Sequence, residues 1–181
     1  MAPARIEFLT HLHPGLDVLR AEAEGEGFRF MDRLVAEWRS GVNRFDQPGE
    51  VLLGAFRGAD LLAVCGLNRD PYADQGGVGR LRHLYVRAAE RRGGLTSALV
   101  RAALERAGGA FHSVRLRTGT REAAAFYAGH GFVCVEAEKA SHVKQLRQQA
   151  VGRVRPVPRA RPCMDLSGLE VARAVQGRDT A

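Results

Sequence analysis

Of the 181 residues only three are cysteine and one is tryptophan, and no apolar run approaches the roughly 20 residues that a membrane-spanning helix needs. Cys65, Cys134 and Cys163 are odd in number and lack metal-ligand spacing, so neither a disulfide framework nor a zinc site is indicated, and buried or inert thiols are expected. The N-terminus lacks a basic stretch leading into an apolar core and a cleavage site, so a cytoplasmic protein with no membrane contact is expected. Two phosphate-binding signatures are missing as well. No strand leads into the Gly-x-Gly-x-x-Gly of a dinucleotide fold, and no Gly-x-x-x-x-Gly-Lys precedes a Ser or Thr as in a P-loop. No segment repeats.

Positive charge is plentiful, and its placement decides its meaning. The formal charge is +7, but from residue 144 onward eight basic side chains meet three acidic ones, so +5 lies in the tail and +2 on the body. A mildly basic body suits a polyanionic small molecule. It is too weak a field for a dedicated nucleic-acid surface, and the tail has no aromatics interleaved with its arginines for base stacking. Residues 151–162 cannot form an ordinary helix because Pro156, Pro158 and Pro162 interrupt them. The chain therefore divides into one domain, residues 1–147, and a basic, Pro/Arg-rich extension, residues 148–181, expected to be flexible.

The body is organised around residues 81–107, LRHLYVRAAERRGGLTSALVRAALERA, which read as a strand, a glycine-bearing turn and a helix. Leu84, Tyr85 and Val86 end the strand, and Leu95, Ala98, Leu99 and Ala102 form an apolar stripe at helical spacing. Between them Arg91, Arg92, Gly93, Gly94, Leu95, Thr96 and Ser97 place two glycines where backbone must approach a ligand closely. The unpaired N–H groups of the first helical turn make phosphate the natural guest. A Gly-Gly pair before a helix can also be a plain turn.

Around this stretch, residues 5–10 suit a first strand, and two helices follow with a break at residues 25–27. Leu16, Val18 and Leu19 start the first; Phe30, Met31, Leu34, Val35 and Trp38 mark the second. Residues 40–50 form a loop containing Asn43 that could cover a substrate. Residues 51–56 and 61–67 make a hairpin whose second strand ends in the polar cluster Asn68, Arg69, Asp70, Pro71 and Tyr72, where ligand-facing groups or merely a solvated turn would sit. After the central helix, residues 111–118 read as a strand, Thr120 caps a short helix from 121 to 129, and 131–135 return as a strand beside its predecessor. Residues 142–146 would add an edge strand.

Arg91-x-x-Gly94-x-Thr96 resembles the acetyl-CoA loop of the GNAT superfamily of N-acetyltransferases, whose pattern is Gln or Arg, two residues, Gly, one residue, then Gly or Ala; Thr96 departs from it. Residues 120–132, TREAAAFYAGHGF, resemble the same family's Asn-x-x-Ala-x-x-Phe-Tyr-x-x-x-Gly-Phe. Ala123, Phe126, Tyr127, Gly131 and Phe132 match in register, and Thr120 replaces the Asn. The two blocks are separated by one helix and one strand, as in the family.

The resemblance implies an α/β (α+β) GNAT-like fold: a mixed, mostly antiparallel sheet of six to seven strands with a V-shaped splay, flanked by about four helices. It implies acetyl-CoA as co-substrate, with no metal. The cofactor would be held by Leu84, Tyr85, Val86, Arg91, Arg92, Gly93, Gly94, Leu95, Thr96, Ser97, Thr120 and Phe126. Tyr127 would be the general acid that protonates the departing thiolate, since a phenol near the sulfur supplies the proton this step needs. Asn43, Asn68 and Asp70 are candidate contacts to a small-molecule primary amine, which would attack the thioester directly in a ternary complex without a covalent enzyme intermediate. No carboxylate base lies in residues 81–86, and His83, a lone strand histidine, reads more readily as a packed residue than as a base. A rival reading is a degenerate domain that binds CoA or serves as an interaction module. A homodimer is left open.

Overall fold

The computed structural model describes residues 3–146, and the 148–181 extension lies outside them. The elements, in chain order, are β1 Arg5–Phe8, α1 Gly15–Gly25, α2 Phe30–Ser40, β2 Val51–Arg57, β3 Asp60–Arg69, β4 Val78–Val86, a single 3-10 turn Ala88–Glu90, α3 Leu95–Ala107, β5 Ser113–Leu116, α4 Arg121–Gly129, β6 Val133–Ala137 and β7 Ala140–Gln145. They form a seven-stranded sheet in the order β1-β2-β3-β4-β5-β7-β6, in which β4 and β5 run parallel and the other neighbours antiparallel. This mixed, open sheet with four helices is the GNAT-like α/β architecture expected above.

The near-continuous apolar runs of β2 and β3 follow from burial on both faces. One face, with Leu53, Ala55, Ala63, Cys65 and Leu67, packs on Leu99, Val100 and Ala103 of α3. The other, with Leu52, Leu61 and Val64, packs on Leu16 and Leu19 of α1 and on Met31 and Leu34 of α2. The apolar stripes of the helices are rotated slightly from the sequence reading. Val18 is exposed, and α3 buries Leu99, Val100, Ala103 and Ala107 while Ala98 and Ala102 are half-buried. A helix lying flat on a sheet buries whichever residues meet the strands, and the short alanines sit at the margin of that contact.

β7 does not take the edge position that residues 142–146 suggested. It lies between β5 and β6, with Leu116 opposite His142 on one side and Ala137 opposite Ala140 on the other. Consequently β5 and β6 are not neighbours, contrary to the expected parallel pairing. The short link through Glu138 and Lys139 keeps β6 and β7 together as a hairpin. Of its two strands, β7 buries Ala140 and His142, whereas β6 carries exposed Val133. The more buried strand takes the interior.

Cys65 is a buried free thiol. Burial pushes the Cys65 thiol up to about 12. Its folded value exceeds the unfolded one, so the associated stability is present below about pH 8.5 and is lost as pH rises toward the folded value. At pH 8 Cys65 should resist alkylation until the protein unfolds, as read by mass spectrometry of its labelled peptide. Rapid labelling under native conditions would contradict the packed position.

Candidate active site

Two irregularities in the centre of the sheet create the site. The β4–β5 ladder runs only from Val78↔Ser113 to Arg80↔Arg115. Beyond Arg80 the strands diverge, and residues 81–86 continue along β3 alone. The close start is allowed by Gly79, where a Cβ would stand 2.8 Å from the Phe111 ring. The second irregularity lies on the β3 side. Val64 faces Tyr85 and Gly66 faces Arg82, so His83 and Leu84 together oppose Cys65 in a β-bulge. His83 adopts φ 55°, a left-handed conformation uncommon for a residue with a side chain. The bulge resets the alternation: Leu81, Leu84 and Val86 face the α3 side, and Tyr85 faces the α1 and α2 side.

A cleft opens at the divergence, lined by Phe30, Leu81, Arg82, His83, Leu84, Leu116, Arg117 and Tyr127. Its empty space is about 350 Å³, part of it open to solvent. Tyr127 reaches it from α4, whose N-cap is Thr120: the Thr120 hydroxyl accepts from Ala123 N–H at 3.2 Å. Tyr127 is 5% exposed and packs edge-on to Phe126 and Phe132, at 5.2 and 5.6 Å between ring centroids. The Phe-Tyr and Gly-Phe matches in the sequence thus fall on rings that pack together at the wall of the cleft.

The anion turn follows the far end of β4. Arg92 at φ 67° and Gly94 at φ 80° are left-handed, and Ala98 N–H to Gly94 O, 3.0 Å, is the helix bond that closes the first turn of α3. The N–H groups of Leu95, Thr96 and Ser97 precede it and lack intrahelical acceptors. A Cβ at Gly94 would meet no atom within 4 Å, and one at Gly93 would meet only Glu90 O at 3.6 Å, so the backbone is open to an approaching group. That geometry fits the pyrophosphate of acetyl-CoA.

Carboxylates from α1 and the 3-10 turn hold this loop in place. Glu22 accepts from Ala88 N–H at 2.6 Å and pairs with Arg87 at 3.4 Å, and Glu90 forms a two-point pair with Arg57 at 2.6 and 2.8 Å. Arg57 draws the Glu90 carboxyl below its ordinary value. Arg91 is part of the frame. Its Nε donates to Val86 O at 3.0 Å, its guanidinium pairs with Glu26 at 2.6 Å, and it stacks on Tyr85 at 5.6 Å. Arg92 is exposed at the turn, so of the two expected phosphate contacts it is the one facing solvent. The Ser97 hydroxyl lies 3.1 Å from His130 Nε2, linking α3 to α4.

The other expected residues divide. Leu84 lies in the cleft with Tyr127. Tyr85 is fully buried under Arg91 in the α1/α2 core, where desolvation and then the Glu22 and Glu26 carboxylates push its phenol upward, so it stays protonated. Asn43 uses its Oδ1 to accept from Phe45 N–H at 3.2 Å, shaping the loop after α2. Asn68 is buried on β3 opposite Arg80. Asp70 is buried between Arg80 at 3.6 Å and Arg115 at 3.4 Å, and accepts from Tyr72 N–H at 3.0 Å. Asn43, Asn68 and Asp70 are not among the cleft-lining residues.

Besides Tyr127, the polar residues that do line it are Arg82, His83 and Arg117. Arg82 pairs at 3.3 Å with Glu37, which also binds Arg33 at 2.6 Å, bringing a carboxylate of α2 behind the cleft wall. Sequence reading passed over Arg82, Glu37 and Arg117 because nothing local marks them; Glu37 of α2 meets Arg82 of β4, and Arg117, just past β5, joins the cleft wall, only when the sheet is built. Among the described residues no group of His, Cys, Asp or Glu could hold a metal ion, and no helix is long and apolar enough to cross a membrane.

The comparisons agree with this architecture. No curated protein matches the chain. Among solved structures, an acetyltransferase candidate from Exiguobacterium sp. 255-15 is 27% identical with a TM-score of 0.71, the match covering 80% of this chain and 94% of that one. A GNAT-family acetyltransferase from Streptococcus pneumoniae is 16% identical, covers 80% and 100%, and has a TM-score of 0.57. Another from Staphylococcus aureus MU50 is 11% identical, covers 80% and 100%, and reaches 0.60. The model of the acetyltransferase (GNAT) family matches residues 16–132, well over half of the sequence, and the chain belongs to that family.

Proposed function

We propose that the protein transfers the acetyl group of acetyl-CoA to a primary amine of a small molecule by direct attack in a ternary complex. The observation that carries this reading is the entry of Tyr127 into the cleft where β4 and β5 part, on the same strand whose far end leads into the anion turn. Acetyl-CoA supplies the activated thioester. The N–H groups of Leu95, Thr96 and Ser97, with the Arg92 side chain, would hold its pyrophosphate, as a helix N-terminus holds any such anion. Main-chain groups of Leu84 and Val86 on the diverging strand would line the pantetheine, and Phe126 would pack at its side. The Thr120 hydroxyl retains its proton for donation while its oxygen caps α4.

Attack on the thioester makes an oxyanion and then releases a thiolate. Tyr127 would give its phenolic proton to that sulfur, the step at which a poor leaving group most needs help. Apolar Leu81, Leu84 and Leu116 around the reaction keep the local dielectric low, strengthening every polar contact to the transition state. The amine would enter over Phe30 of α2, on the side of the cleft walled by Arg82 and Arg117.

The absence of a carboxylate in residues 81–86 favours a second reading, a CoA-binding domain without turnover. One pair of measurements separates them. The transferase reading expects thermal stabilisation by CoA together with thiol release from acetyl-CoA in the presence of an amine panel. Stabilisation without thiol release selects the binding module, and neither response removes both.

Gly94→Val tests the placement of the pyrophosphate. A branched side chain fits the φ of 80° poorly and occupies the open space over the turn, so CoA affinity should fall at least tenfold. Gly93→Ala, at ordinary φ, should keep the fold and serves as the control. Unchanged CoA affinity in Gly94→Val would move the pyrophosphate elsewhere.

A further inference from the structure

The bulge on β4 delivers one side chain whose hydrogen-bonding state is fixed by geometry. His83 is 3% exposed, and its Nδ1 lies 3.0 Å from the carbonyl oxygen of Phe30, the first residue of α2. A carbonyl oxygen only accepts, so Nδ1 carries the proton and donates it. The tautomer is thereby settled: Nε2, on the opposite side of the ring, presents a bare lone pair. Among the described residues Nε2 has no hydrogen-bond partner, although it is buried, and His83 belongs to the wall of the cleft that Tyr127 enters. The rings of Phe30 and Phe45, at 6.3 and 6.2 Å between centroids, hold the imidazole from two sides. A buried acceptor with no donor costs stability, and a donor brought by a ligand or an ordered water relieves that cost.

We propose that His83 Nε2 accepts an N–H of the attacking amine and takes up its proton as the new bond forms. This inference rests on the transferase reading above. In the step, the amine nitrogen bonds to the acetyl carbon and the carbon–sulfur bond breaks. One N–H proton passes to Nε2, and the Tyr127 phenolic proton passes to the sulfur. The products are the amide and the CoA thiol, and solvent returns the His83 proton to Tyr127 before the next turnover. Burial, then the guanidinium of Arg82, disfavours the imidazolium and holds His83 well below the usual histidine range, with Arg33 and Arg80 adding to the effect. The ring is therefore neutral and ready to accept when the amine arrives, and it does not retain the proton afterwards.

The bulge explains why the position is occupied as it is. With φ at 55°, His83 turns toward Phe30 and α2, whereas Leu84, next in sequence, faces the α3 side. Asn tolerates this backbone conformation and keeps an N–H for the Phe30 carbonyl, yet it is too short to place an acceptor where Nε2 stands. Gln extends an amide oxygen to about that place, and that oxygen accepts a hydrogen bond but takes up no proton.

Two measurements on the full chain test the inference. Nitrogen-15 NMR of histidine-labelled protein, assigned with His83→Asn, should show the Nδ1–H tautomer and a shift of Nε2 when CoA and an accepted amine are added; an Nε2–H tautomer would overturn the proposal. With the panel amine that the parent acetylates best, His83→Asn should lose about 10² to 10³ in kcat/KM while CoA affinity is unchanged. His83→Gln should recover KM for the amine more than kcat. If the parent releases thiol and His83→Asn stays within threefold of it, the role of His83 falls while the transferase reading stands. If no amine provokes thiol release by the parent, that reading falls and this one with it.

Discussion

Replacing Tyr127 by Phe should lower turnover by roughly 10² to 10⁴ while leaving the fold and the affinity for acetyl-CoA in place. Phe keeps the ring that packs against Phe126 and Phe132 in the wall of the cleft, so the apolar contacts of α4 survive. What disappears is a proton donor that the reaction needs only when the thiolate departs. An interaction made in the transition state and not before it appears in kcat, whereas a residue that merely held the cofactor would appear in KM. The measurement is thiol release at saturating acetyl-CoA with an accepted amine. A turnover number equal to the parent's would remove Tyr127 from the mechanism and leave water as the proton source.

The largest effect on stability should come from Asp70, for reasons separate from catalysis. Its side chain is 0% exposed and lies between Arg80, 3% exposed, and Arg115. Asp70→Ala removes the buried carboxylate that faces the guanidinium of Arg80 and the acceptor for Tyr72 N–H. Breaking a buried pair from one side costs about 3–5 kcal/mol. For a chain of this size that corresponds to a melting point lowered by roughly 10 °C. Because the pair is out of solvent, the loss should persist at high salt, unlike that of a surface pair. The result also decides between two roles, since a substrate contact predicts near-parental stability with a raised KM for the amine. The positions of Arg80 and Arg115 favour the structural one.

The two cases mark how far the sequence could be read. The position of Tyr127 is legible because its motif has fixed spacing, Phe126-Tyr127 on a short helix whose cap, Thr120, can be named in advance and Gly131-Phe132 just past the helix end. Asp70 is a candidate ligand contact in the sequence because polar groups at a strand end can gather around a ligand, although a solvated turn is the commoner meaning of such a cluster. Its true neighbours, ten and forty-five residues further along the chain, come together only through strand pairing. For Arg91 the loop pattern suggests a phosphate contact shared with Arg92, and what the pattern does not carry is that Glu26, just after α1, and the carbonyl of Val86 both bind its guanidinium.

Local chemistry was enough to determine the strand, glycine turn and helix of residues 81–107 and the hairpin of residues 51–67. These depend on hydrophobic periodicity, on glycine's freedom at positive φ, and on orphaned N–H groups at a helix start, all of which act within a few residues. Only the tertiary structure decided that β7 enters between β5 and β6, that β4 leaves β5 after Arg80, and that a bulge turns His83 toward the carbonyl of Phe30. Register and edge choice depend on which distant strand supplies hydrogen-bond partners and which side chains lose water together. Those energies belong to pairs of segments, and neither segment carries them alone.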